Sequence, residues 1–145
     1  MKFTRSVFST LMFSFAPLVA ANAAGGRVNQ CLYNCPPPVG GISAPVQVGV
    51  PAGGLGTVQI RWTWNQSRQK PVTQYSCLWV SGAGENDAHI VQCEHPRNTY
   101  TTVVPWINVG AYTFRVAPGS PRGPYTKPIA ALQSLAQTTV FGVAQ

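Results

Sequence analysis

The chain has 145 residues, only 9% of them charged, with ten Lys/Arg against three Asp/Glu and a formal net charge of +7. So little charge, beside 14 Gly and 13 Pro, leaves little material for solvent-facing helices and points to an all-β domain with many turns. Three acids do not supply the two separated, enclosed carboxylates of a glycosidase, and the scattered bases are not the clustered patch of a nucleic-acid module.

Lys2 and Arg5 precede an apolar run from Val7 to Val19, and Ala21-Asn22-Ala23 follows as a small-residue cleavage site. This pattern predicts an export signal over residues 1–23, removed before Ala24. The run is short and holds Pro17, so no membrane span is expected. What remains is about 122 residues, enough for one modest core. Its eight bases (Arg27, Arg61, Arg68, Lys70, Arg97, Arg115, Arg122 and Lys127) outnumber Glu85, Asp87 and Glu94.

Residues 24–43 read as an irregular leader, with Cys31 and Cys35 ahead of Pro36-Pro37-Pro38 and Gly40-Gly41. The four cysteines, Cys31, Cys35, Cys77 and Cys93, predict two disulfides in an exported chain. Cys31 and Cys35 either close a small loop or tie the leader to the domain.

The domain itself is expected over 44–132. Val46, Val48 and Val50 alternate in a first edge-type strand between Pro45 and Pro51. Val58, Ile60, Trp62 and Trp64 form the cleanest alternation, with one buried face. Tyr75–Ser81 and Ala88–Cys93 read as a hairpin around a Gly/Asn/Asp loop. Centring that hairpin on Glu85 sets Cys77 opposite Cys93, where a cross-strand disulfide is feasible; a one-residue slip would forbid it. Tyr100–Val104 then meets a corner, and Tyr112, Phe114 and Val116 alternate with Thr113 and Arg115 in the next strand. A Pro/Gly loop over 117–124 leads to a last sandwich strand at Tyr125–Ala131. Residues 133–145 read as a C-terminal extension, with an extra strand near Thr138–Val143.

Trp62 in the second strand, Tyr75 opening the third, Thr101-Thr102-Val103, Trp106 at the corner and Tyr112-Thr113-Phe114-Arg115-Val116 occur in one order. Together they resemble the pattern of a fibronectin type III domain over about Pro45 to Leu132. The resemblance implies an immunoglobulin-like antiparallel β-sandwich, a buried Trp106, a corner tyrosine at Tyr112 and a binding or spacing role.

Reactive chemistry finds few parts. A soft metal site drawn from His89, Cys93 and His95 needs all three on one strand face and a reduced Cys93. No Gly-x-Ser-x-Gly elbow is present, and Cys31-x-x-x-Cys35 lacks the spacing and the βαβ setting of a thiol exchanger. Ser120-Pro121-Arg122-Gly123-Pro124 is the candidate binding loop, with Pro121, Arg122 and Gly123 at its tip and Trp64 and Trp79 as alternative contact aromatics.

The sequence thus predicts a secreted or periplasmic binding, adhesion or assembly module that is not an enzyme and needs no cofactor. Its expected partner is a protein or a cell-surface polymer. Two other readings are an enzyme inhibitor that presents Arg122 and a periplasmic metal-binding protein.

Overall fold

A computed structural model describes residues 38–65, 75–95 and 98–145. The expected export signal, Cys31 and Cys35 lie outside the described residues. Nine strands form two sheets: β1 (Val39–Ser43), β2 (Gln47–Val50), β3 (Gly56–Asn65), β4 (Tyr75–Gly82), β5 (Asp87–Glu94), β6 (Asn98–Ile107), β7 (Gly110–Gly119), β8 (Thr126–Pro128) and β9 (Ala136–Ala144). A three-stranded sheet runs β1-β3-β6 and a six-stranded sheet β2-β9-β7-β4-β5-β8. Every pairing is antiparallel except that of β2 with β9, which is parallel.

The period-two strands build the core between the sheets. Val58, Ile60, Trp62 and Trp64 of β3 are all buried, against Leu78 and Val80 of β4 and Phe114 and Val116 of β7. Both buried indoles satisfy their N–H groups, as burial requires. Trp62 Nε1 donates to Thr102 Oγ1 at 2.8 Å, and Thr102 Oγ1 donates to Gln92 Oε1 at 2.8 Å. Trp64 Nε1 donates to the Glu94 carbonyl at 3.1 Å. These bonds tie the three-stranded sheet to β5 of the other sheet along one side.

Four expectations are corrected. The sandwich begins inside the segment read as leader, because β1 pairs with β3 from Val39↔Asn65 to Ser43↔Arg61. Its glycines lower strand preference, yet Gly40 is needed: a Cβ there would meet Leu135 Cβ at 2.6 Å. The sandwich also ends later than 132. β9 lies between β2 and β7, and its Val140 is fully buried, so residues read as an extension hold a central position. The expected last strand at Tyr125–Ala131 shrinks to three-residue β8 and a 3-10 turn at Ile129–Ala131.

The fourth correction is at the corner, where Trp106 is 39% exposed and Ile107 is fully buried. A bulge causes the exchange. Val58 pairs with Val104 and Gly56 with Ile107, so two steps on β3 match three on β6. The extra residue carries Trp106 outward, edge-on to Tyr112 at 6.1 Å, and turns Ile107 into the core. Tyr112 itself takes the corner position: its hydroxyl accepts the Asn108 N–H at 3.1 Å.

If Ile107 fills the corner, Ile107→Ala should cost about 2–5 kcal/mol in urea unfolding. Trp106→Ala should cost clearly less, and the reverse order would show that the bulge is misplaced.

Candidate binding surface

β7 continues to Gly119, three residues past Val116, and leaves a loop at 120–125. The tip folds on itself. Gly123 N–H donates to the Ser120 carbonyl at 3.1 Å, and Arg122 N–H donates to Ser120 Oγ at 3.2 Å. Gly123 has φ +95°, a conformation that glycine adopts without strain. Tyr125 closes the loop by donating its hydroxyl to the Pro121 carbonyl at 2.9 Å. Pro121, Arg122 and Pro124 are exposed, and Tyr125 is 60% exposed. Sequence reasoning missed Tyr125; the signal lay in its position four residues after Pro121, where a side chain can reach back across a turn.

Beyond the tip the chain straps the outer face of the six-stranded sheet. β8 pairs with Asp87–His89, Ile129 N–H bonds the Asn86 carbonyl at 2.8 Å, and the chain returns until Leu135 N–H meets the Val116 carbonyl at 2.8 Å. Ile129 and Leu132 pack on a second apolar cluster in which Cys77, Trp79, Ala88 and Ala117 are fully buried. Cys77 and Cys93 face each other across β4 and β5 and are joined by a disulfide. Trp79 donates its indole N–H to the Ala117 carbonyl at 3.2 Å, and Lys127 Nζ lies 5.9 Å from its ring centre. Both Trp64 and Trp79, considered as contact aromatics, are core residues.

The structure does not bring the drawn metal site together. Leu78 pairs with Gln92 but Trp79 pairs with Ile90, so Val91 is a bulge residue and the faces of β5 exchange there. His89 therefore falls on the face opposite Cys93, exposed, with Nδ1 3.2 Å from Thr126 Oγ1. His95 lies past the strand end and stacks on Tyr75 at 4.1 Å. Cys93 is oxidised, and no group of three or more His, Cys, Asp or Glu is placed to hold a metal ion among the described residues.

The acids serve the hairpin. Glu85 Oε2 accepts Gly82 N–H at 2.7 Å and Glu94 Oε1 accepts Gln92 Nε2 at 2.6 Å. Arg115 donates to Ser81 Oγ at 2.6 Å, and partial burial lowers its pKa from the ordinary arginine value. What the arrangement offers is a pinned Pro-Arg-Gly-Pro tip on a rigid sheet.

No family model matches the chain, and no solved structure matches it. Among curated proteins it is similar to integrin beta-4 of Mus musculus, 29% identical over 79 residues. That stretch is 54% of this chain and 4% of integrin beta-4, so the chain corresponds to a small part of that protein.

Gly119 is packed closely against β4: a Cβ there would overlap Cys77 Sγ and lie 3.0 Å from Trp79 Cζ2. Gly119→Ala should therefore lower stability by about 1–3 kcal/mol in urea unfolding followed by Trp fluorescence. An unchanged midpoint would mean that this cluster is loosely packed.

Proposed function

We propose that the protein is an exported, non-enzymatic binding module of the fibronectin type III kind, which grips a protein or a cell-surface polymer through the tip at 120–125. The pinned loop carries this reading. Two hydrogen bonds to Ser120 and one from Tyr125 hold it, while Arg122 is exposed at the tip. A loop ordered before binding loses less entropy in the complex, and arginine is a frequent anchor of interfaces.

The family reading is supported by the sandwich of three and six strands, by the Tyr112–Asn108 corner bond and by the partial likeness to integrin beta-4. Corner tyrosines of this sort belong to immunoglobulin-like sandwiches. Export is supported by the Lys2-to-Ala23 pattern and by the disulfide, which persists in oxidising compartments. No helix among the described residues is long and apolar enough to cross a membrane.

The test compares wild type with Arg122→Ala and Tyr125→Phe as immobilised baits for partners from the protein's own cells, with affinities then measured on the purified partner. Loss of the Arg122 side chain should weaken binding about tenfold, and loss of the Tyr125 hydroxyl about threefold by loosening the tip. Both variants should melt with wild type. Binding indifferent to both changes would remove the tip from the interface, and turnover of a substrate would overturn the module reading.

A further inference from the structure

Four strands stand at sheet edges: β1 and β6 in one sheet, β2 and β8 in the other. Open edges pair with any passing strand, so proteins keep them short, charged or broken by proline. β1, β2 and β8 obey this rule with five, four and three residues, Pro45 and Pro51 flanking β2 and Pro128 ending β8. β6 does not. It has ten residues and no charged one, and among the described residues it pairs only with β3. No described residue outside β3 makes a backbone–backbone hydrogen bond to it.

Thr99, Thr101, Thr102, Val103 and Val104 are β-branched, the type that favours extended chain. Pro105, beside the bulge, ends the regular ladder, which leaves an open stretch from Asn98 to Val104. Tyr100, Thr102 and Val104 face inward; Thr99, Thr101 and Val103, the last 57% exposed, face outward.

Charge selects the occupant. Arg61 of β3 pairs with Thr101 and is exposed on the same outward face, where it lines an open hollow with Gln59, Thr99 and Thr101 that extends to Ser43–Pro45 at the end of β1. β1, β3 and β6 contain no acid; Glu85 and Asp87 lie at the far tip of the β4–β5 hairpin, and Glu94 reaches β6 only on its inward side, through Gln92 and the buried Thr102, away from Arg61. We infer that β6 is the docking edge for an extended, acidic segment of a partner protein, which adds as a fourth strand and sets a carboxylate over Thr101 against Arg61.

An added strand would lie about 4.8 Å beyond β6 and about 10 Å from β3. Thr101 is short enough for the guanidinium to pass above it. A second copy is the poorer occupant, since its β6 brings no carboxylate and its Arg61 brings a like charge. The inference rests on the binding-module reading but uses another element than the 120–125 tip.

Two capped seven-residue peptides of alternating Thr and Val, one with a central Asp and one with a central Lys, would be titrated into 15N-labelled protein. New amide protection should appear at 98–104, and the Asp peptide should bind about fivefold tighter. Arg61→Gln should abolish that preference without changing the fold, and an Asp peptide N-methylated on alternate amides should not bind. The inference is overturned by unprotected 98–104 amides at millimolar peptide, by equal affinity for Asp and Lys, or by binding of the N-methylated peptide. Protection of 98–104 that rises with protein concentration alone would give the edge to a second copy and also overturn it. Peptide shifts confined to 120–125 would leave the module reading standing and remove β6 from it.

Discussion

β4 is buried on both faces, and the rest of the molecule follows from that constraint. Its residues from Ser76 to Ser81 are all buried, without the alternation of a strand that has one face in water. Leu78 and Val80 enter the space between the sheets, while Cys77 and Trp79 point the other way, where no second sheet lies. The strap after Gly119 supplies the missing cover, and the disulfide holds β5 beside it. Burying one large side chain such as Trp79 stabilises by about 3 kcal/mol, which explains why a long connection between β7 and β9 is bound down. The two serines are the weak points of such a strand. Ser81 receives a hydrogen bond from Arg115, whereas Ser76 Oγ finds no partner among the described residues, a cost of about 1–3 kcal/mol.

What the sequence made legible was local and periodic. β3 and β7 each carry one apolar face at a spacing of two, and Cys77 does face Cys93, although next to the loop the pairs run one residue out of the expected register and the extra residue Val91 restores it before the disulfide. Bulges defeated the same logic. One extra residue near Pro105 exchanged Trp106 for Ile107 in the core, and Val91 separated His89 from Cys93. A bulge leaves composition unchanged and shifts every later side chain by one face, so it is visible only in the pairing. The central place of β9 was equally hidden. Its partners, β2 and β7, come from opposite parts of the chain, and the parallel pairing with β2 has no turn to announce it.

The candidate surface divides in the same way. The Pro121-Arg122-Gly123 tip could be read from turn chemistry, whereas its anchor, Tyr125, was read as a strand residue and its one signal, the spacing of four from Pro121, passed over. The β6 edge had no signature in the chain. A run of threonines and valines reads alike whether one neighbour or two will cover it, and only the strand order makes it an edge.

Cover and exposure are therefore allotted unevenly. The strap seals the half of the outer face that holds Trp79, and short, proline-flanked strands blunt three of the four edges. Arg61 is exposed on the outward face of the three-stranded sheet, while Glu94, of the other sheet, reaches β6 only from the inward side, through Gln92 and Thr102. β6 carries no lysine of the kind that guards other edge strands, and Pro105 blocks only its far end. Two kinds of contact remain open to a partner: side-chain recognition at a rigid Arg122 tip, and backbone recognition along β6. The first depends on the hydrogen bonds that fix one loop, the second on a ladder that only an extended chain completes, with the exposed Arg61 as its nearest charge.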